Sequence, residues 1–232
     1  MSEAPVVTVD GPAGSGKTTL GRRLAIELEL PLIDTGLFYR GVMVAAVRQG
    51  LGVGDRQRII DLAGRTTIEI NTVAGDLSWE AVVDGQDPGS LLHDPRRALL
   101  LTTISQIPEV RRQLLPLQRK PAGAGAVAVG RDCGTVVFPQ ARVKFYLRAA
   151  EALRTARREA DLARQGSRVD AGVLRDEIGS RDLGDAAAMV PAADALVIDT
   201  ESAGIDEMVA IAVRHCAEAG LVAAHRRAGD RR

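Results

Sequence analysis

Cysteine is scarce in this 232-residue chain: only Cys133 and Cys216 occur, and neither stands at metal-ligand spacing from the other or from His93, His215 or His225. A structural zinc site is therefore set aside, and both thiols are expected to stay reduced. No run of eighteen apolar residues occurs, and no basic segment followed by an apolar stretch opens the chain. Membrane insertion and export are thus not expected, and a cytoplasmic location is. Net charge is missing as well, with 30 Lys plus Arg balanced by 30 Asp plus Glu. Without an overall field to draw the molecule to nucleic acid or an acidic membrane, the expected partner is a small molecule.

What is present is a globular composition, 46% hydrophobic and 26% charged, with one strongly patterned segment. Gly11-Pro12-Ala13-Gly14-Ser15-Gly16-Lys17-Thr18 follows the apolar run Val6 to Val9 and fits G-x-x-x-x-G-K-[ST]. The glycines let backbone N–H groups turn inward on phosphates, Lys17 supplies a point charge, and the Thr18 hydroxyl suits Mg²⁺ together with waters. Thr19 follows, and Leu20, Leu24 and Leu28 recur at helical spacing. The loop therefore opens onto a helix N-terminus, which favours an anion. The expected ligand is a nucleoside triphosphate bound as its Mg²⁺ complex.

Short apolar runs alternate with helical patterns along the chain, as a parallel α/β sheet requires. The expected strands are Val6 to Val9, Pro31 to Ile33, Ala126 to Val129, Val143 to Leu147 and Ala195 to Ile198. Between Gly50 and Pro108 the texture changes: Thr67 to Asn71 alternates, and Ala81 to Asp87 looks like a second strand ending in a turn. This predicts an inserted subdomain with its own antiparallel piece. The expected division is a core of residues 5–40, 121–150 and 170–222, an insert over 41–120, a helical lid over 151–169 and a basic tail over 223–232. The lid segment carries Arg154, Arg157 and Arg158, and arginines on a mobile flap can stabilise charge on a transferred phosphoryl group.

Segments leaving the carboxyl ends of neighbouring parallel strands line one crevice. Asp34-Thr35 with Arg40, and Arg131-Asp132, should therefore meet the phosphate loop, the arginines facing an acceptor phosphate and the carboxylates facing hydroxyl or amino groups. The N-K-x-D element by which GTPases read their base is absent, and the D-x-x-G match at Asp61 to Gly64 is too weak to stand alone.

Taken together, Asp10 to Lys17, Asp34-Thr35-Gly36 with Tyr39-Arg40, Gly130-Arg131-Asp132 running through Gly134-Thr135-Val136-Val137-Phe138-Pro139, and Arg181-Asp182 with Asp185 resemble the bacterial cytidylate kinases. The resemblance runs from about Val6 to Thr200. It implies the nucleoside monophosphate kinase fold and phosphoryl transfer from Mg·ATP to CMP or dCMP. It further implies that Gly14 to Thr18 hold the donor phosphates and that Arg40, Arg131 and Arg181 grip the acceptor phosphate, with Arg111 reaching it or the base. Asp185 would take the sugar hydroxyls, Thr102 and Asp132 would sit near the cytosine edge, and Arg154, Arg157 and Arg158 would be the lid arginines.

Two positions depart from the commonest family pattern: Ala188 stands where an arginine helps read cytosine, and Val129 where an acidic residue often precedes Gly-Arg-Asp. A kinase for another or modified pyrimidine monophosphate stays open on those residues, as does an ATP-binding regulatory module without turnover. No oligomerisation signature is visible, so a monomer is expected. Trp79 is expected in a core role, and Cys133 as a small buried hydrophobe.

Overall fold

The computed structural model describes residues 4–72, 79–164, 179 and 189–221. In chain order the elements are β1 (Val6–Asp10), α1 (Lys17–Leu28), β2 (Leu32–Asp34), α2 (Gly36–Arg48), α3 (Arg56–Ala63), β3 (Ile68–Thr72), β4 (Trp79–Val83), α4 (Ala98–Ser105) and α5 (Pro108–Arg119). They continue with β5 (Ala126–Gly130), β6 (Val143–Arg148), α6 (Glu151–Arg164), β7 (Leu196–Asp199) and α7 (Ile205–Glu218).

Five strands form a parallel sheet in the order β2-β5-β1-β6-β7. Each of the five expected strands is present, shifted by a residue or so at its ends. The sheet is covered on both faces, which is why its strands read as nearly unbroken apolar runs. On one face Val7, Val9, Val127, Val129, Phe145 and Leu147 pack with Leu20 and Leu24 of α1 and Met208 and Ala212 of α7. On the other, Ala126, Ala128 and Ile33 meet Phe38 and Val42 of α2, Ile104 of α4 and Leu114 of α5. Alternation along β5 thus places valines under α1 and alanines under α2. Full burial of side chains such as Leu24, Phe38 and Leu114 stabilises by roughly 1.5–3 kcal/mol each.

The chain between α3 and α4 forms a separate antiparallel hairpin, with Ile68 opposite Val83 and Ile70 opposite Ala81. Its second strand, expected from Ala81 and ending in a turn by Asp87, begins two residues earlier at Trp79 and stops at Val83, where the turn starts. Asp84 and Gly85 adopt φ values of 52° and 72°, the left-handed pair that an Asp-Gly hairpin turn favours. The chain then returns so that Val83 and Gln86 exchange backbone hydrogen bonds of 2.9 and 3.1 Å. The side chain of Trp79 lies outside the described residues. Asp61 sits within α3 and accepts from Gln57, so the D-x-x-G match is a stretch of helix surface.

β1, β5 and β2 end together, with Asp10 paired to Gly130 and Asp34 to Val129. The loops leaving them open onto one crevice beside the N-terminus of α1.

Candidate active site

The loop between β1 and α1 is built by its backbone. Gly14 and Gly16 take φ values of 75° and 93°, a conformation that residues with a β-carbon rarely adopt. A β-carbon at Gly14 would also lie 2.8 Å from the Arg154 carbonyl. Ser15 N–H donates to the Pro12 carbonyl at 3.3 Å, and Lys17 Nζ donates to the same oxygen at 3.0 Å. α1 begins at Lys17 without a side-chain cap and without an acidic residue in its first turn, leaving its N-terminal amides and dipole for an anion. Ala13, Gly14, Lys17 and Thr18 line the crevice, whereas Gly11 and Ser15 are buried behind it and Thr19 is exposed to one side.

The opposite wall is made of side chains. From β2 and α2 come Asp34, Thr35, Tyr39 and Arg40; from α4 and α5, Thr102, Ser105 and Arg111; from the end of β5, Arg131 and Asp132. Asp34 Oδ1 accepts the Gly36 N–H at 2.9 Å. Burial pushes its carboxyl up, and the charges of Lys17 and Arg40 draw it back. Thr35 is almost wholly buried and its hydroxyl donates to the Val129 carbonyl at 3.1 Å. That residue joins the ends of β2 and β5.

Arg40 Nη1 donates to the Leu92 carbonyl at 2.9 Å, and Arg111 Nη1 to the Ser105 carbonyl at 3.0 Å. The other Arg111 nitrogen makes an ion pair with Asp132 Oδ2, and its guanidinium lies 5.7 Å from the centre of the Tyr39 ring. Arg131 lines the crevice with a nitrogen 3.8 Å from Met189 Sδ. Tyr39, Ser105 and Leu101 join the site without having been anticipated as site residues. The signal was local: Tyr39 stands three residues after Gly36, and Ser105 three after Thr102, so each pair shares a helix face.

Two arginines of α6, Arg154 and Arg157, are held by other protein oxygens. Arg154 is buried and donates to the Ala149 and Ala13 carbonyls at 3.1 and 3.2 Å. Arg157 donates to the hydroxyl and carbonyl of Thr200, after β7, at 2.9 and 2.8 Å. Neither lines the crevice. The Arg158 side chain, Arg181, Asp185 and Ala188 lie outside the described residues, as does the tail over 223–232. Cys133 is fully buried and burial pushes its thiol well up from 9.0, which makes it a packing residue.

A parallel sheet, a phosphate loop at the carboxyl end of its central strand, and a crevice walled by arginines and carboxylates define a P-loop protein with the nucleoside monophosphate kinase fold. Sequence comparison is more particular. The cytidylate kinase profile matches residues 7–218, and the chain belongs to the cytidylate kinase family. It is 38% identical to the cytidylate kinase of Pelotomaculum thermopropionicum, covering 92% of this chain and 96% of that protein. It is 40% identical to the cytidylate kinase of Aliivibrio salmonicida over 90% and 95% of the two chains. Identity is again 40% to the cytidylate kinase of Pectobacterium atrosepticum, over 93% and 97%.

Proposed function

We propose that this chain is a nucleoside monophosphate kinase that transfers the γ-phosphoryl group of ATP to CMP or dCMP, releasing ADP and CDP or dCDP. The observation that carries this reading is the pairing of Lys17 and Thr18 on one wall of a single crevice with Arg40, Arg111, Arg131 and Asp132 on the other. A protein that only binds ATP has no use for a second cationic wall. An oxygen of the acceptor phosphate attacks the γ-phosphorus while the bond to the β–γ bridging oxygen breaks. The acceptor phosphate is itself the nucleophile, so neither a protein nucleophile nor a general base is required.

The catalytic work is alignment and charge neutralisation. Gly11 to Thr18 hold the donor phosphates, and Lys17 moves from the Pro12 carbonyl to the transferred group. Arg40 and Arg131, with Arg181, hold the acceptor phosphate, while Arg111, Asp132 and Thr102 face the base and Asp185 the sugar. Arg154 and Arg157 reach the transferred group by exchanging their present carbonyl and hydroxyl partners, and Arg158 is assigned the same role. This is the behaviour of a lid over 151–169, against an insert over 41–120 that carries the acceptor. Thr18, Asp34 and Asp132 offer oxygen donors of the kind Mg²⁺ prefers. Thr18 would hold the ion, whose positive charge would offset that of the donor phosphates.

The reading includes a monomer acting in the cytoplasm; among the described residues no helix is long and apolar enough to cross a membrane. The test is ADP release from Mg·ATP with CMP, dCMP, UMP, dUMP, dTMP, AMP and GMP side by side. Turnover with CMP and dCMP above the others is expected. ADP release that ignores the acceptor, or binding without turnover, overturns the assignment, and equal rates across pyrimidines overturn its cytosine specificity.

A further inference from the structure

We propose that Asp10 is a positioning residue that locks the Arg131–Asp132 segment of the acceptor wall to the strand from which the phosphate loop springs. The proposal deepens the kinase reading and rests on it.

Asp10 is the last residue of β1, directly before Gly11, and only 5% exposed. Its two carboxylate oxygens are used separately. Oδ1 accepts the Cys133 N–H at 2.8 Å and Oδ2 the Gly134 N–H at 2.7 Å. These are successive amides, immediately after Arg131 and Asp132. The tight turn they begin folds back on Asp132, whose carbonyl accepts the Val136 N–H at 2.8 Å and the Val137 N–H at 3.2 Å. A displacement of the Cys133–Gly134 peptide therefore carries Asp132 with it, and Asp132 is the partner of Arg111.

The close approach depends on a missing side chain. A β-carbon on Gly134 would lie 2.9 Å from Thr8 Oγ1 and 3.3 Å from Asp10 Oδ2. Burial pushes the Asp10 carboxyl up, and Asp132 pushes it in the same direction; the two backbone N–H groups act against both. A charge held in so unfavourable a place is recovered through its hydrogen bonds, which here determine where the acceptor wall stands. Because Asp10 also adjoins the loop, one residue sets donor and acceptor in a common frame.

Asparagine offers one acceptor oxygen and one NH₂ group, so in D10N one of the two amides meets a donor. The experiment measures initial rates against CMP and against Mg·ATP, with calorimetric titration of each nucleotide and thermal unfolding, for wild type, D10N and D10E. In D10N the KM and Kd for CMP are expected to rise about tenfold or more, with ATP affinity changed less than about twofold. D10E keeps both acceptors and should fall between D10N and wild type; it carries the same test if D10N does not fold.

A role confined to stability would lower the unfolding temperature and leave both KM values in place. That result, or parallel changes in CMP and ATP affinity, overturns the proposal. Wild-type protein that neither binds nor turns over CMP instead overturns the kinase reading, and with it the ground for this one.

Discussion

The two walls of the crevice are built on opposite principles. The proposed donor wall, Ala13, Gly14, Lys17 and Thr18, belongs to one contiguous loop shaped by glycine conformations and by the start of α1, with backbone amides as its main recognition groups. The acceptor wall draws side chains from α2, α4, α5 and the end of β5, residues separated by tens of positions. Its arginines already hold protein oxygens: Arg40 the Leu92 carbonyl, Arg111 the Ser105 carbonyl and Asp132. A wall of backbone is local in sequence and in its sensitivity to mutation. A wall of side chains depends on how helices pack.

If that contrast is right, the largest effect should come from the charge at the point where the walls meet. Lys17→Ala is expected to lower kcat by on the order of 10²-fold or more, because the lysine acts on charge that develops during transfer. Single-turnover kinetics at saturating nucleotide checks this, and ordinary turnover would break the assignment of the loop. Next comes Arg40→Ala, which removes one charge-assisted contact from the acceptor side alone. The KM for CMP should rise roughly 30-fold while that for ATP stays within about twofold. A shared rise would show that the walls are not separable.

Arg111→Met should be smaller, about tenfold in acceptor KM, and should narrow the preference for CMP over UMP, since Arg111 lies against Tyr39 and pairs with Asp132. Paired kcat/KM values for the two nucleotides measure it. The smallest effect is expected outside the crevice lining, at Asp194. Lys144 Nζ, 3.0 Å away, holds this carboxyl below its ordinary 3.8. A lowered folded value means that the pair contributes stability above pH 3.8 and loses it as pH falls through the folded value. Asp194→Asn should therefore unfold slightly earlier than wild type at neutral pH, and the gap should close in more acidic buffer. Asp194 is 65% exposed, so screening keeps the gap small.

The same contrast explains what could be read from the sequence. The loop, α1 and the five strands were legible because each depends on neighbours in the chain: a glycine pattern, a 3.6-residue period, short apolar runs. The second strand was legible together with the turn that ends it at Asp84-Gly85, but its start at Trp79, two residues before Ala81, was not. Leu101 was hidden in the run Leu99-Leu100-Leu101. Helical geometry leaves Leu99 69% exposed and buries Leu100 and Leu101, with Leu101 also bordering the crevice. The bond from Arg157 to Thr200 crosses 43 positions, and no local rule announces it. Asp132 was legible from its place after a strand, but its partner Arg111, 21 positions away, entered only through family resemblance, because charge pairing across packed elements has no signature in composition or period.

The arginines that rest on the protein's own carbonyls have a consequence for the end of the reaction cycle. A ligand entering the acceptor wall exchanges one set of hydrogen bonds for another, so the net gain in binding is less than its contacts suggest. The same carbonyls are waiting when the product leaves, and neither the Arg40 nor the Arg111 guanidinium has to be stranded for the site to empty. Such a site gives up some tightness of grip and keeps a low barrier to release, which suits a protein whose product resembles its substrate and must not linger.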